Sequence, residues 1–428
     1  MDAEERDLLK RVESLQDRLV AWTRELVAIP TVNPYSGDDS AGTERPGQDW
    51  IEARLRAMGA QVRRLPVPPD VYARGGIIGP ANRRWEGREN VVGEWVLGSG
   101  DGPCLLLNDH MDTVGTAGMR FDPFDPVIED GCLFGRGSSD SKGNLAMGLT
   151  ALQALLAEPR GLHGRVIFES VVDEECNGAG AGTLACCLAG ITGDFALCLD
   201  GTHGQVDIGC NGVVTARVLV EGRAAHGSGQ GAVSALDKGI VVKAAVDAFA
   251  REHAEIFPDC RVNIGVFRAG TLPAIVPGQA ELQINLNYDI QDADQAEQQE
   301  GVWDGRFFRA RFERAMAELE ARDEWFARHP VAVSWIKDIY PFWCDPTEPR
   351  IEVVLQAAAE VHGGPVEAKL MPAWIDAAHL ARQLRVPAVA LGAGTAGTAH
   401  GAGEYVVLAD LYSGARTLAL ALHRLLRA

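Results

Sequence analysis

Ser170-Val171-Val172-Asp173-Glu174-Glu175-Cys176 is the stretch whose reading decides the fold. The apolar, β-branched run 166–172 leading into it reads as a buried strand. That run stops at three consecutive carboxylates. Open α/β sheets bind their ligands beyond the carboxyl ends of their strands, which is where these acids fall. Adjacent like charges repel, and a bound cation would offset them, because hard and borderline cations accept carboxylate oxygens. Taken alone, the run reads more readily as a solvated acidic turn. The rest of the chain decides between the two.

Working outward, the run 104–107 reads as a second strand, ending in Asn108-Asp109-His110-Met111-Asp112. Asp140 sits in the glycine-rich segment 135–143, just before an apolar helix at 144–157. A strand at 195–199 ends in Asp200, and His400 lies in a glycine-rich loop after a strand at 388–391. Each of these groups alone is usually a hydrogen-bonded structural residue. Together they place two imidazoles and several carboxylates on one edge of one sheet. That donor set suits a borderline divalent ion such as zinc, manganese or cobalt. Asp112, two residues beyond His110, is placed to accept the imidazole's other N–H and fix its tautomer.

A chain of 428 residues exceeds what one core usually supports, so two domains are expected. Hydrophobic content of 46% and charged content of 23% belong to a soluble globular chain. A net charge of −19 argues against nucleic acid and against an anionic membrane surface as partners. The charged N-terminus shows no apolar signal segment, and no apolar run approaches the ~20 residues of a membrane span. Nine cysteines without a Cys-x-x-Cys pair read as reduced thiols of a cytoplasmic protein.

Strands alternate with helices up to about residue 211, which indicates α/β architecture with a mainly parallel sheet flanked by helices. This part includes one amphipathic helix from 5 to 29 and two strands, 91–97 and 104–107, flanking a glycine-rich hairpin. The rhythm then changes. Strands at 213–220, 261–267 and 280–288, a helix at 235–250, a long helix at 293–327 and a strand at 331–336 form an α+β module. The α/β pattern resumes at 341, with helices at 350–361, 377–384 and 408–426. Residues 1–211 and 337–428 are expected to form one discontinuous domain, with 212–336 inserted as a second.

Five motifs in this order resemble those of the co-catalytic metallohydrolases that include acetylornithine deacetylase, succinyl-diaminopimelate desuccinylase, aminoacylase and glutamate carboxypeptidase. They are His-x-Asp at 110–112, Gly-Arg-Gly-x-x-Asp-x-Lys-Gly at 135–143, Asp-Glu-Glu at 173–175, Ala-His-Gly-Ser at 225–228 and His400-Gly401-Ala402-Gly403-Glu404. The resemblance implies a zinc-aminopeptidase-like catalytic domain with an inserted lid and dimerisation domain. It implies one or two divalent ions per chain. Asp140 would bridge them, His110 and Asp200 would complete one site, and Glu175 and His400 the other. Glu174 would be the general base and Asp112 the support of His110. His226, on the lid, would stabilise the oxyanion in the partner subunit of a homodimer. The implied reaction is hydrolysis of the amide bond of a small N-acylated amino acid or dipeptide.

Three positions depart from that family's usual pattern. Ala274 stands where Asn is usual, Asp289 where many relatives have Arg, and Asn211 where Arg or Lys is common. Since the first two help bind the substrate's acyl or carboxylate end, a changed substrate is expected. The aromatic residues between 303 and 343 read as packing, or alternatively as the wall of an aromatic pocket. An alternative activity is therefore hydrolytic deamination of a small aromatic amino-acid-like substrate. A metal-free binding protein on the same fold is a further alternative. The G-x-G-x-x-G at 392–397 is set aside as a dinucleotide motif, because too little chain follows it to complete a βαβ unit.

Overall fold

The computed structural model describes residues 1–202, 204–395 and 397–427. Its centre is a nine-stranded sheet. Gly164–Val171, Cys104–His110, Phe195–Cys198 and Ala388–Ala390 run parallel side by side through the middle. Antiparallel strands extend it: Gln61–Pro66 and Glu89–Leu97 on one side, Val206–Cys210 and Phe342–Trp343 on the other. Every residue of Cys104–His110 is buried, as expected of a parallel strand covered on both faces. The helix Lys142–Leu156 is apolar almost all round. It is buried against Gln16–Val27 and the closing helix Leu408–Arg427.

The inserted segment builds its own four-stranded antiparallel sheet. Its order is Val262–Ala269, Gln279–Tyr288, Gly212–Glu221, Ala332–Ile339. Along Gln279–Tyr288 burial alternates strictly. Leu282, Ile284, Leu286 and Tyr288 join Phe308 and Phe312 in a core separate from that of the central sheet. Gln283, Asn285 and Asn287 therefore point the other way, toward the larger domain.

Three sequence expectations need correction. The strands 91–97 and 104–107 are not paired with one another: Gly164–Val171 lies between them and pairs with both. The glycine-rich turn between them packs instead on the Leu162–Gly164 backbone. The N-terminal helix is two helices, Ala3–Ser14 and Gln16–Val27. The Ser14 hydroxyl donates to the Arg11 carbonyl, and the Leu15 N–H turns to Val12 instead of reaching that carbonyl four residues back. The long helix of the insert is also two, Ile290–Glu300 and Arg306–Arg322, because Gly301 takes a left-handed C-cap. Ala396 of the 392–397 motif lies outside the described residues. The strand before that motif ends against the Asp200 backbone, so close that a Cβ on Gly392 would sit 2.0 Å from the Asp200 carbonyl oxygen.

Candidate metal centre

Four of the five candidate ligands lie beyond the carboxyl ends of central strands, and the fifth comes from the turn before a helix. His110 closes Cys104–His110, Glu175 follows Gly164–Val171, and Asp200 follows Phe195–Cys198. His400 reaches in from the loop beyond Ala388–Ala390, and Asp140 from the turn before Lys142–Leu156. The structure brings all five together. Donor atoms of His110, Asp140 and Asp200 lie within 4.8 Å of one another, as do those of Asp140, Glu175 and His400. Asp140 belongs to both groups, and its two oxygens face apart. Oδ1 is 3.0 Å from His110 Nε2, and Oδ2 is 3.2 Å from His400 Nε2. His400 Nε2 is also 2.9 Å from Glu175 Oε2.

Buried acids at this density call for positive charge. Coulombic attraction to Glu175 drives the His400 pKa well above the usual imidazole range. Burial lowers the His110 pKa, but the hydrogen bond to Asp140 together with the charges of Glu174, Asp140 and Asp200 outweighs it, so this imidazole is raised well above its usual range too. Burial pushes Asp200 up to about 6, with Asp140 adding repulsion. Two imidazoles and three carboxylates aimed at a shared centre form a donor set that divalent cations satisfy. The residues present fit such ions.

The three consecutive acids have three different surroundings. Asp173 is buried and accepts from Arg83 at 3.0 Å, Arg88 at 2.8 Å, Tyr72 at 2.9 Å and Asn33 at 3.2 Å. Arg88 is paired in turn with buried Glu44. Protein cations, not a metal, thus offset the first acid. Glu175 faces His400. Among the described residues Glu174 has no ion-pair partner, and burial raises its pKa well above the carboxylate range. Asp173, Cys176 and Asn177 all adopt positive φ, so the loop that presents Glu174 holds a conformation non-glycine residues seldom take.

Asp112 acts differently from its sequence expectation. His110 Nδ1 meets the Asp112 main-chain carbonyl at 2.9 Å, while the carboxylate stands 3.9 Å away. The carboxylate instead accepts the backbone N–H groups of Glu174 (3.2 Å) and Glu175 (3.1 Å), and Asn33 at 2.8 Å. It holds the acidic loop rather than the imidazole. Buried Glu404 has a parallel role: it accepts from the Ser139 and Asp140 N–H groups and pairs with Arg136, whose guanidinium also reaches the Gly401 carbonyl. One buried ion pair therefore ties the Asp140 turn to the His400 loop.

His226 is elsewhere in this chain. It lies exposed on Ala225–His226, paired with Ile275–Val276, with its ring bonded to Ser228. A cavity of about 660 Å³ opens between the metal cluster and the inserted sheet, lined by Glu174, Glu175 and His400 on one side. The aromatic side chains expected between 303 and 343 do not line it. Phe308, Phe312 and Phe326 are core, and Trp303 donates its indole N–H to Pro341. Trp374 and Tyr35 do line it, and sequence reading passed over both. Arg83, Arg88 and Asn33 were also missed, since nothing in their own segments ties them to residue 173.

This fold, with a shared carboxylate between two ligand clusters, defines a hydrolase of amide bonds that works with metal. The chain belongs to peptidase family M20/M25/M40, whose profile matches residues 106–424. It is similar to the N-formyl-4-amino-5-aminomethyl-2-methylpyrimidine deformylase of Halalkalibacterium halodurans, 25% identical over 443 residues, covering 96% of this chain and 95% of the relative. A succinyl-diaminopimelate desuccinylase of Leptothrix cholodnii is 34% identical over 161 residues, 36% of either chain. Among solved structures, the dipeptidase Dug1p of Saccharomyces cerevisiae superposes with a TM-score of 0.75 at 14% identity, over all of both chains. The Bacillus subtilis YXEP protein, a dinuclear metal-binding peptidase of the M20 family, gives 0.60 at 16% identity over 97% of this chain and 99% of its own. No helix of the described residues is long and apolar enough to cross a membrane.

Proposed function

We propose that this chain hydrolyses the amide bond of a small N-acylated amine or amino acid, with Glu174 as general base beside a two-ion centre. The observation that carries the reading is the position of Asp140, whose two oxygens face two separate ligand groups. His110 and Asp200 would hold one ion, and Glu175 and His400 the other. Bound ions of this kind, zinc or manganese or cobalt, lower the pKa of a water toward neutrality and polarise a carbonyl. Glu174, raised by burial and without an ion pair among the described residues, takes the attacking water's proton and passes it to the departing nitrogen. Asp112 fixes the base by holding the Glu174 N–H. The full-length similarity to a deformylase supports a small acyl group and an amine leaving group.

The inserted unit, residues 212–336, serves in this reading as lid and dimerisation domain. Its support is the exposure of His226 beside exposed Ile275, with Leu236, Ile240 and Leu272 exposed on the same unit. His226 would complete the oxyanion site of a partner subunit. A second reading, hydrolytic deamination of a small aromatic substrate, is favoured by Trp374 and Tyr35 on the cavity wall.

The test is amine or ammonia release from a panel of N-formyl, N-acetyl and aminoaromatic compounds by the metal-loaded enzyme. Glu174→Gln is expected to keep its metal and lose about 10²–10⁴ in kcat. A Glu174→Gln enzyme with unchanged kcat removes Glu174 from the role of base.

A further inference from the structure

A second cleft, of about 510 Å³, opens on the inserted unit and, among the described residues, shares none with the cavity at the metal cluster. It lies where three segments meet: the end of the strand Gly212–Glu221, the first turn of the helix Ala235–Ile256, and the turn 323–329 after the helix Arg306–Arg322. Arg223, Lys238, Arg322 and Arg328 line it, and the acids of its wall are Asp323 and Glu324. In a chain of 59 acidic and 40 basic residues, such a cluster runs against the general charge of the molecule.

Ion pairing leaves two of these cations open. Lys238 is spent on both oxygens of Asp323, at 2.9 and 2.8 Å. Arg322 reaches Glu318 at 3.6 Å along its own helix. Arg223 gives one N–H to the Gly231 carbonyl at 3.4 Å, and among the described residues it meets no carboxylate. The Arg328 side chain has no hydrogen-bond or ion-pair partner among the described residues. The wall around them is held in place. Trp325 donates its indole N–H to the Glu221 carbonyl at 3.0 Å, and its ring stacks on His329 with centroids 4.0 Å apart. The Arg223 guanidinium stands 5.4 Å from the Trp325 ring centroid, within cation–π range. Asp323 accepts the Trp325 and Phe326 N–H groups, which fixes the turn. Two main-chain bonds between Arg223 and Val233, 2.7 and 3.1 Å, close the loop 224–232 that carries His226.

Guanidinium forks match phosphate oxygens bidentately, and two of them facing one cleft favour a ligand with more than one negative charge. A space of this size takes a small molecule and not merely a single ion. We infer that this cleft is a binding site for a small phosphorylated molecule, held by the guanidinium groups of Arg223 and Arg328 with His329 beside them. Because Arg223 also closes the His226 loop, an occupied cleft ties that loop down. The site is independent of the amide-hydrolase reading, and its test does not depend on catalysis.

Two measurements test it together. First, inorganic phosphate, ribose 5-phosphate, fructose 1,6-bisphosphate and the dicarboxylate glutarate are titrated calorimetrically, at an ionic strength of about 0.15 M, into metal-loaded wild type, Arg223→Gln/Arg328→Gln and Glu324→Gln. Phosphate oxygens also bind metal ions, and that binding is common to all three proteins. The three side chains are exposed, so the fold is expected to persist, which thermal melting checks. The bisphosphate is expected to bind tightest, to lose about tenfold in affinity in the double variant, and to gain about two- to threefold in Glu324→Gln, where a repelling charge is gone. Inorganic phosphate bound as tightly as ribose 5-phosphate would assign the site to the free anion, and a preference for the ester to a phosphorylated metabolite; either supports phosphate as the group recognised. Second, saturating bisphosphate is expected to slow amide hydrogen exchange in 221–233 and 323–330. The inference is overturned by glutarate binding as tightly as the bisphosphate, by bisphosphate affinity unchanged in the double variant, or by protection only around Glu174 and His400, which would place the ligand at the metal cluster. Should the double variant melt early, bisphosphate affinity that does not rise in Glu324→Gln overturns it alone.

Discussion

At the scale of single residues, identical side chains in this protein do different work because their partners differ. Asp173, Glu174 and Glu175 are consecutive, yet one is clamped by two arginines, one faces a histidine and one, among the described residues, has no ion-pair partner. Histidine shows the same contrast. His110 and His400 are raised by carboxylates, whereas burial lowers His379 to about 4. His379 Nε2 lies 2.8 Å from the Ala179 carbonyl and must donate to it, so Nδ1 accepts from the Tyr340 hydroxyl at 2.8 Å. The neutral ring is thereby fixed. Unfolded, this histidine would bind its proton near pH 6.5. Its contribution to stability is therefore complete above pH 6.5 and is lost as pH falls toward 4, a span worth about 3 kcal/mol. Urea denaturation at pH 7, 5.5 and 4.5 is expected to show a shallower pH slope for His379→Gln than for wild type. Equal slopes would show that His379 does not titrate with folding.

At the scale of elements, periodicity made much of the fold legible. The alternating strand at 280–288 and the helices at 350–361, 377–384 and 408–426 lie where the pattern puts them, within one or two residues at each end. Elements that depend on local competition were not legible. A serine hydroxyl interrupts the first helix, and one glycine splits the long helix of the insert. Strand pairing was less legible still. Adjacency in sequence suggested a hairpin at 91–107, while the sheet inserts Gly164–Val171 between its arms. The bulge at Ile336 is the most consequential unread feature, because a one-residue slip moves Lys337 from the core face to the cavity face. The short strands Val206–Cys210 and Ala368–Met371 carry no turn or period signal strong enough to find them.

At the scale of the whole molecule, the parallel strands gather the candidate metal ligands and the inserted sheet supplies the facing wall. The grouping of the five candidate ligands was legible because four of them follow strands, where polar residues stand out against apolar runs, and Asp140 stands in a glycine-rich segment before an apolar helix. The supports of the acidic loop were not legible, since Arg83 and Arg88 are distant in sequence from Asp173, which they hold. The chain alone leaves His226 exposed, as the dimer implied by the family resemblance requires. Ile240 is 53% exposed on the helix Ala235–Ile256 of the same inserted unit. In sedimentation experiments Ile240→Asp is expected to shift a wild-type dimer toward monomer and to lower activity with metal content unchanged. A fully active wild-type monomer would contradict that arrangement.

The central claim is that Asp140 is shared by two ion sites. Elemental analysis of wild-type enzyme and Asp140→Ala, purified without chelator and dialysed in parallel, addresses it directly. One or two divalent ions per chain are expected for wild type, with Asp140→Ala losing most of that content while remaining folded by circular dichroism. Wild-type protein without metal, or a folded Asp140→Ala enzyme with its metal content intact, would contradict it.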